Sequence, residues 1–239
     1  MGIRKGISKF GHSQNIQIAD LPIDICDYGK NLYPFQDEPL TLHMASTDDT
    51  DTAPILVEGL NENGIIVQRT KALTGQTPVP LDGQWLRQYR GFNNDTGNPF
   101  VGTVYVSKSN SFTDGVPDDG DDIVVKIEPE HQQTLMAVYT TPRNWYSKIK
   151  QIELAILPKT TAAAWAVIGL FTRKPGKCFT CQKFEGLITT GTSSIVIPTP
   201  EMGEFPPFTD FVMRALEISA NGIELKGAFD IEFSRQISI

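Results

Sequence analysis

The stretch TTAAAWAVIGLF, residues 160–171, can be read as a helix or as a strand, and the choice decides the fold class. Alanine has the highest helix propensity, which favours a helix starting near Thr160. Val167, Ile168 and Phe171 pull the other way, because β-branched and aromatic side chains suit a pleated, half-buried surface. At a period of two, Trp165, Val167, Gly169 and Phe171 fall on one face of a strand.

The neighbours settle the choice in favour of a strand. QIELAIL, residues 151–157, alternates with Ile152, Leu154 and Ile156 inward and Gln151 and Glu153 outward. GAFDIEFS, residues 227–234, does the same with Phe229, Ile231 and Phe233. DIVVKIE places Ile123, Val125 and Ile127 on one side. TLMAVYT, residues 134–140, is apolar on both faces, as in a strand covered on each side. APILVEGLNENGIIVQRTKAL reads as a hairpin, rising over Ile55–Glu58 and returning over Ile65–Lys71. Its Asn63-Gly64 supplies the positive-φ position that such a loop needs. Asn221-Gly222 turns FVMRALEISA back onto the last strand in the same way. Short strands at intervals of roughly 8–12 residues, separated by turn residues, predict a β-sandwich of jelly-roll type.

Residues 1–40 lack sustained periodicity and mix polar, Gly, Pro and aromatic residues. They read either as an extended N-terminal arm or as an N-terminal strand with long loops. The organisation expected is an arm over 1–40 and one sandwich domain over 41–239.

Bulk properties narrow the function classes. The chain has 239 residues and a net charge of −7. An acidic chain without clustered Lys and Arg is a poor partner for nucleic acid. No run of about 18 apolar residues marks a membrane span. The opening MGIRKGISKFGHSQ has no apolar segment of the kind a secretory signal carries, which points to synthesis in a reducing cytoplasm. Cys26, Cys178 and Cys181 are an odd number, against a disulfide framework.

Candidate chemistry is sparse. Cys178 and Cys181 have the Cys-x-x-Cys spacing of zinc knuckles and redox dithiols, in GKCFTCQ. A zinc site needs a second ligand pair, and His12, His43, His131 and Cys26 offer none by spacing. On a regular strand, residues three apart face opposite sides. The pair therefore reads as structural cysteine, of the kind that packs as a small hydrophobe. TDGVPDDGDD holds Asp114, Asp118, Asp119, Asp121 and Asp122, but it fails the EF-hand register at Gly115 and Pro117. It reads as a solvated loop, with a noncanonical calcium site as the alternative, and Asp48, Asp49 and Asp51 divide the same way. No nucleophile elbow occurs and no histidine is placed by sequence beside a nucleophile. No cofactor, catalytic residue or metal ligand is assigned. WLRQYRGF contributes Trp85, Arg87, Tyr89, Arg90 and Phe92, residue types enriched at protein interfaces.

Several of these segments together resemble the virion structural proteins of tailed, podovirus-like bacteriophages. The resemblance rests on Lys9-Phe10-Gly11, DICDYGKNLYPF, VEGLNENG, WLRQYRGF, QQTLMAVYTTP and the C-terminal FTDFVMRALEISANGIELKGAFDIEF. It spans nearly the whole chain at modest density. The chain departs from the pattern at TPRNWYSK, where the family has a Pro-Ala-Gly-Lys-Thr turn, and at Cys26, where the family usually has a Trp. The resemblance implies a non-enzymatic protein made in the host bacterial cytoplasm and located in the virion. It implies a capsid decoration or head-appendage role, binding the major capsid protein and itself as a trimer or other ring. The alternatives are a tail or neck component and a receptor- or glycan-binding appendage. The interface residues expected are Lys9, Phe10, Gly11, Trp85, Arg87, Tyr89, Arg90 and Phe92.

Overall fold

The computed structural model describes residues 5–27, 32–158, 164–189, 193–199 and 202–235. In chain order the strands are β1 (Lys5–Ile16), β2 (Ile23–Asp24), β3 (Leu40–Ser46), β4 (Pro54–Asn61), β5 (Ile66–Ala72), β6 (Val79–Asn93), β7 (Val104–Ser107), β8 (Phe112–Thr113), β9 (Val116–Pro117), β10 (Ile123–Ile127), β11 (Val138–Thr140), β12 (Tyr146–Pro158), β13 (Ala164–Arg173), β14 (Thr180–Thr189), β15 (Ser193–Pro198), β16 (Asp210–Ile218) and β17 (Ile223–Ser234). The only helical turns among the described residues are two three-residue 3-10 segments, at Ile18–Asp20 and Gly120–Asp122. The protein is all-β. TTAAAWAVIGLF is a strand from Ala164 onward, and residues 160–163 lie outside the described residues.

The chain divides into two compact units, Met1–Leu32 with Met136–Ile239, and Tyr33–Leu135. In the first unit, one sheet has the order β1-β17-β12-β15 and the other β11-β16-β13-β14, with β2 also on β16. β2 and β11 are two halves of one strand. Ile23 and Asp24 pair with Ala215 and Arg214, and Val138, Tyr139 and Thr140 pair with Val212, Phe211 and Asp210. Between them, Ile25 N donates to Met213 O at 2.8 Å and Met213 N donates to Ala137 O at 3.1 Å. The joint is closed by Ala137 N donating to Ile25 O at 3.0 Å and by a bridge between Cys26 and Met136. Counting β2 and β11 as one, the unit has eight strands in the orders 1-8-3-6 and 2-7-4-5. This is the strand order of a jelly roll, two Greek keys folded into facing sheets.

Period-two patterning builds its core. In β17, Ile223, Leu225, Gly227, Phe229, Ile231 and Phe233 are buried and alternate with more exposed residues. Ile152, Leu154 and Ile156 of β12 are buried beside them, as their alternation predicts. The two sheets meet through Phe211 against Phe229, ring centroids 6.3 Å apart, and Tyr139 against Phe233 at 5.6 Å. Each such side chain contributes about 1.5–3 kcal/mol on burial. In β13 the inward residues are Ala166, Ile168 and Leu170. Trp165, Val167 and Phe171 do share a face, but it is the outer one.

The N-terminal segment differs from an arm. Lys5–Ile16 pairs with β17 from Lys5–Phe233 to Ile16–Ile223. Between Ile7 and Ile16 its inward positions are Lys9, Gly11 and Ser13, so the period carries little hydrophobic signal. The division of the chain differs too: residues 41–135 do not belong to the jelly roll.

In the second unit, six strands run in the order β10-β7-β3-β6-β4-β5, with β8-β9 as a small separate hairpin. Its core gathers Leu42, Met44, Ile55, Val57, Leu81, Trp85, Val104, Val106, Val125 and Ile127. The β4–β5 hairpin is as expected, paired from Pro54–Ala72 to Leu60–Ile66 with Gly64 at φ +70°. In β10, Val124 is buried as well as Val125 and Ile127, because the pairing slips between Ile123 and Val125. β6 begins against β3 and ends against β4, with Gly83 at φ +78° along its length. At one end of the unit, the Asp51 carboxylate accepts Ser46 Oγ at 2.5 Å, Val101 N at 2.8 Å and Gly102 N at 3.0 Å. It ties the end of β3 and the β3–β4 loop to the β6–β7 loop.

Candidate interface surfaces

The eight residues expected at an interface fall into two groups. Phe10 is 46% exposed, Arg90 is exposed and Phe92 is half-buried. Lys9, Gly11, Trp85, Arg87 and Tyr89 are buried. Lys9 points to the inner side of β1, opposite Phe229. At Gly11 an added Cβ would overlap the Ile25 carbonyl oxygen, so the glycine allows close backbone approach. Trp85 is part of the second unit's core, its Nε1 donating to Asp82 O at 3.1 Å. The Arg87 guanidinium donates to the backbone oxygens of Gln36 and Leu86 and lies 5.4 Å from the Phe35 ring centroid. It holds the segment before β3 onto β6. Tyr33 reinforces this by donating its hydroxyl to Gln88 O at 2.5 Å.

The exposed residues each mark a sheet face. On the jelly roll, Phe10 opposes Ala228, Ala228 opposes Glu153, and Glu153 opposes Val196, so one row crosses all four strands. Val196 is 52% exposed. The flanking row runs Ser8, Asp230, Gln151 and Pro198, with Ser8 Oγ donating to Asp230 at 2.5 Å. This face has apolar prominences at Phe10 and Val196 among polar and acidic neighbours. On the second unit, the Arg90 guanidinium lies 4.8 Å from the Phe92 ring centroid. Arg90 opposes Glu58, which opposes Gln68, and Gln68 Nε2 donates to Glu58 at 2.6 Å. Phe92, Leu56 and Thr70 form the next row. Of the expected residues, Phe10, Arg90 and Phe92 carry exposed surface, and their strand partners become visible only with the pairing registers.

The acidic loops are satisfied by their own chain. Asp118 accepts Ser111 Oγ at 2.5 Å and Thr113 Oγ1 at 2.7 Å, and these hydroxyls hold its carboxyl below the usual range. Asp119 caps the 3-10 turn by accepting Asp121 N at 2.9 Å, and Asp122 pairs with Lys108 at 3.1 Å. Asp48 is lowered likewise by the Thr50 hydroxyl and then its backbone N–H. Among the described residues, no group of three or more His, Cys, Asp or Glu is placed to hold a metal ion.

The cysteines differ from expectation in one respect. Cys26 is buried, but Cys178 and Cys181 are exposed rather than buried. Cys178 precedes β14 and Cys181 lies on it, opposite Phe171. Phe179 between them lies 5.1 Å from the Arg173 guanidinium and 5.5 Å from that of Arg214.

His43, on β3 between Pro80 and Ser107, is half-buried, and desolvation lowers its pKa below 6.5. The folded chain therefore prefers the neutral ring. Its contribution to stability is complete above the unfolded-state value and is lost as pH falls through it. Denaturation midpoints should drop as pH falls from about 6.5 through the lower folded-state value, and His43→Gln should flatten that slope. An unchanged slope in His43→Gln would show that the ring titrates freely.

No family model matches the chain, and no curated protein does. Among solved structures it is similar to the cowpea mosaic virus top component, a naturally occurring empty particle, at 11% identity over 85% of each chain with a TM-score of 0.23. It is similar to broad bean stain virus at 9% identity, over 84% of this chain and 86% of that one, with a TM-score of 0.23. It is similar to the infectious bursal disease virus VP2 subviral particle at 10% identity, over 98% of this chain and 70% of that one, with a TM-score of 0.20. Likeness at such scores decides neither fold nor function. No helix among the described residues is long and apolar enough to cross a membrane.

Proposed function

We propose that this chain is a non-enzymatic structural protein of a virus particle, specifically of a tailed, podovirus-like bacteriophage. It decorates the head or forms a head appendage, binding the major capsid protein and further copies of itself as a trimer or other ring. The observation that carries the reading is the strand order of the first unit, a jelly roll, one of the folds from which capsid and lectin domains are built. The sequence resemblance to phage virion proteins selects among the fold's uses, since fold alone does not define function. The Phe10–Val196 face of the jelly roll and the Arg90–Phe92 face of the second unit supply the contacts. Stable interfaces bury roughly 1,200–2,000 Å², and many copies on one lattice add avidity.

The test is binding to phage heads that lack the protein. Purified chain should bind expanded heads at a fixed stoichiometry and raise their melting temperature. Phe10→Asp and Phe92→Asp should each weaken binding about tenfold or more without unfolding the chain. Failure to co-sediment with heads, necks or tails would overturn the virion reading. Binding to necks or tails alone would overturn the head assignment, and a glycan-array hit with no head binding would favour a receptor-binding appendage.

A further inference from the structure

We infer that Tyr33–Leu135 is an inserted module that opens and recloses as its own cooperative unit while the jelly roll stays folded. The departure point carries the argument. The chain leaves the jelly roll in the middle of its second strand, yet β16 meets no gap there. Its residues from Ala215 down to Asp210 are met in turn by Ile23, Asp24, Ile25 with Ala137, Val138, Tyr139 and Thr140. The Ile25–Ala137 hydrogen bond and the Cys26–Met136 bridge pin the two ends of the insert to each other. The second strand is thus completed by residues outside the insert.

The insert has a hydrophobic core of its own. Among the described residues, its core cluster gathers side chains between Leu42 and Ile127. Two of its buried polar anchors bind within it. Asp51 holds Ser46, Val101 and Gly102, while Asn93 Nδ2 donates to Gln132 Oε1 at 2.7 Å and Gln132 Nε2 donates to Phe100 O at 3.0 Å. If the insert melted, the jelly roll would carry a long loop with tethered ends. Loop-closure entropy grows only logarithmically with length, so such a loop is tolerated. Cooperative units of this kind, coinciding with supersecondary elements, are a general source of sub-global opening. The device gives the chain a fixed scaffold and a separate part that can open without dismantling it.

The test uses the full-length chain and amide hydrogen exchange followed by mass spectrometry over a series of sub-denaturing urea concentrations. Peptides from β4, β6 and β7 should merge into one exchange isotherm, and those from β12, β16 and β17 into another. Val57→Ala, in the insert's core, should speed exchange in the first set about tenfold or more and leave the second within about twofold. Ile55→Val, a smaller truncation, should do the same in lesser degree if Val57→Ala does not fold. If either variant accelerates both sets equally, the chain is one cooperative unit and the inference fails. A single isotherm in the parent chain that splits in the variant still supports it, because the split exposes two units of similar stability.

Discussion

Asp24→Ala should destabilise the jelly roll by about 3–5 kcal/mol, the usual consequence of stripping one partner from a buried ion pair. Asp24 is 0% exposed, and its carboxylate accepts Arg214 Nε at 2.6 Å and Nη2 at 3.4 Å. The Arg214 guanidinium also lies 5.1 Å from the Phe171 ring centroid and 5.5 Å from that of Phe179. Removing the carboxylate leaves a largely buried cation facing two rings, which stabilise it far less than a carboxylate does. The melting temperature should fall by roughly 10 °C. Asp24→Asn, which keeps the shape and loses the charge, should cost less. Asp24→Leu combined with Arg214→Met should recover much of the loss, because the penalty comes from the unpaired charge more than from the missing contact. A denaturation midpoint for Asp24→Ala equal to that of the parent chain would show that this pair does not form.

Gly11→Val should be comparably damaging, for a steric reason. A Cβ at this position overlaps the carbonyl oxygen of Ile25 and the amide nitrogen of Ala137. Those are the two atoms whose hydrogen bond closes the break in the second strand. The obstruction is backbone, so no side-chain rotation relieves it. Overpacking of this kind costs about 3 kcal/mol for the alanine and more for the valine. Exchange at the Ala137 amide should accelerate with it. Gly6→Ala is the control, since a Cβ there meets only Ile231 O at 3.5 Å, an ordinary contact. If Gly11→Val leaves stability and Ala137 protection unchanged, β1 does not approach the splice as described.

These two sites also show what the sequence could and could not reveal. Strands whose inward positions are apolar were legible: β12 and β17 alternate cleanly, and the β4–β5 hairpin carries its own turn signal. β1 was not, because Lys9, Gly11 and Ser13 occupy its inward positions between Ile7 and Ile16, and alternation of hydrophobicity is the main strand signal in a sequence. The second strand of the jelly roll was invisible for another reason. Its halves at Ile23–Asp24 and Val138–Thr140 are each too short to show a period, and only pairing along β16 joins them. The candidate interface was half legible. WLRQYRGF has the composition of a contact surface, but along β6 residues 85, 87, 89, 91 and 93 all face inward in unbroken alternation. Trp85, Arg87 and Tyr89 are drawn inside, and Arg90 is left outside with Phe92 only half-buried. Composition does not say which parity faces the core, and the inward parity carries Arg87 as well as aromatic residues.

The most direct test of the whole account is a cryo-EM map of the intact phage particle. The account predicts this chain in stoichiometric copies on the head, with density for two facing four-stranded sheets and the Phe10–Val196 face of the jelly roll or the Arg90–Phe92 face of the insert against a neighbouring subunit. A map of the complete particle in which no density fits the chain would contradict it.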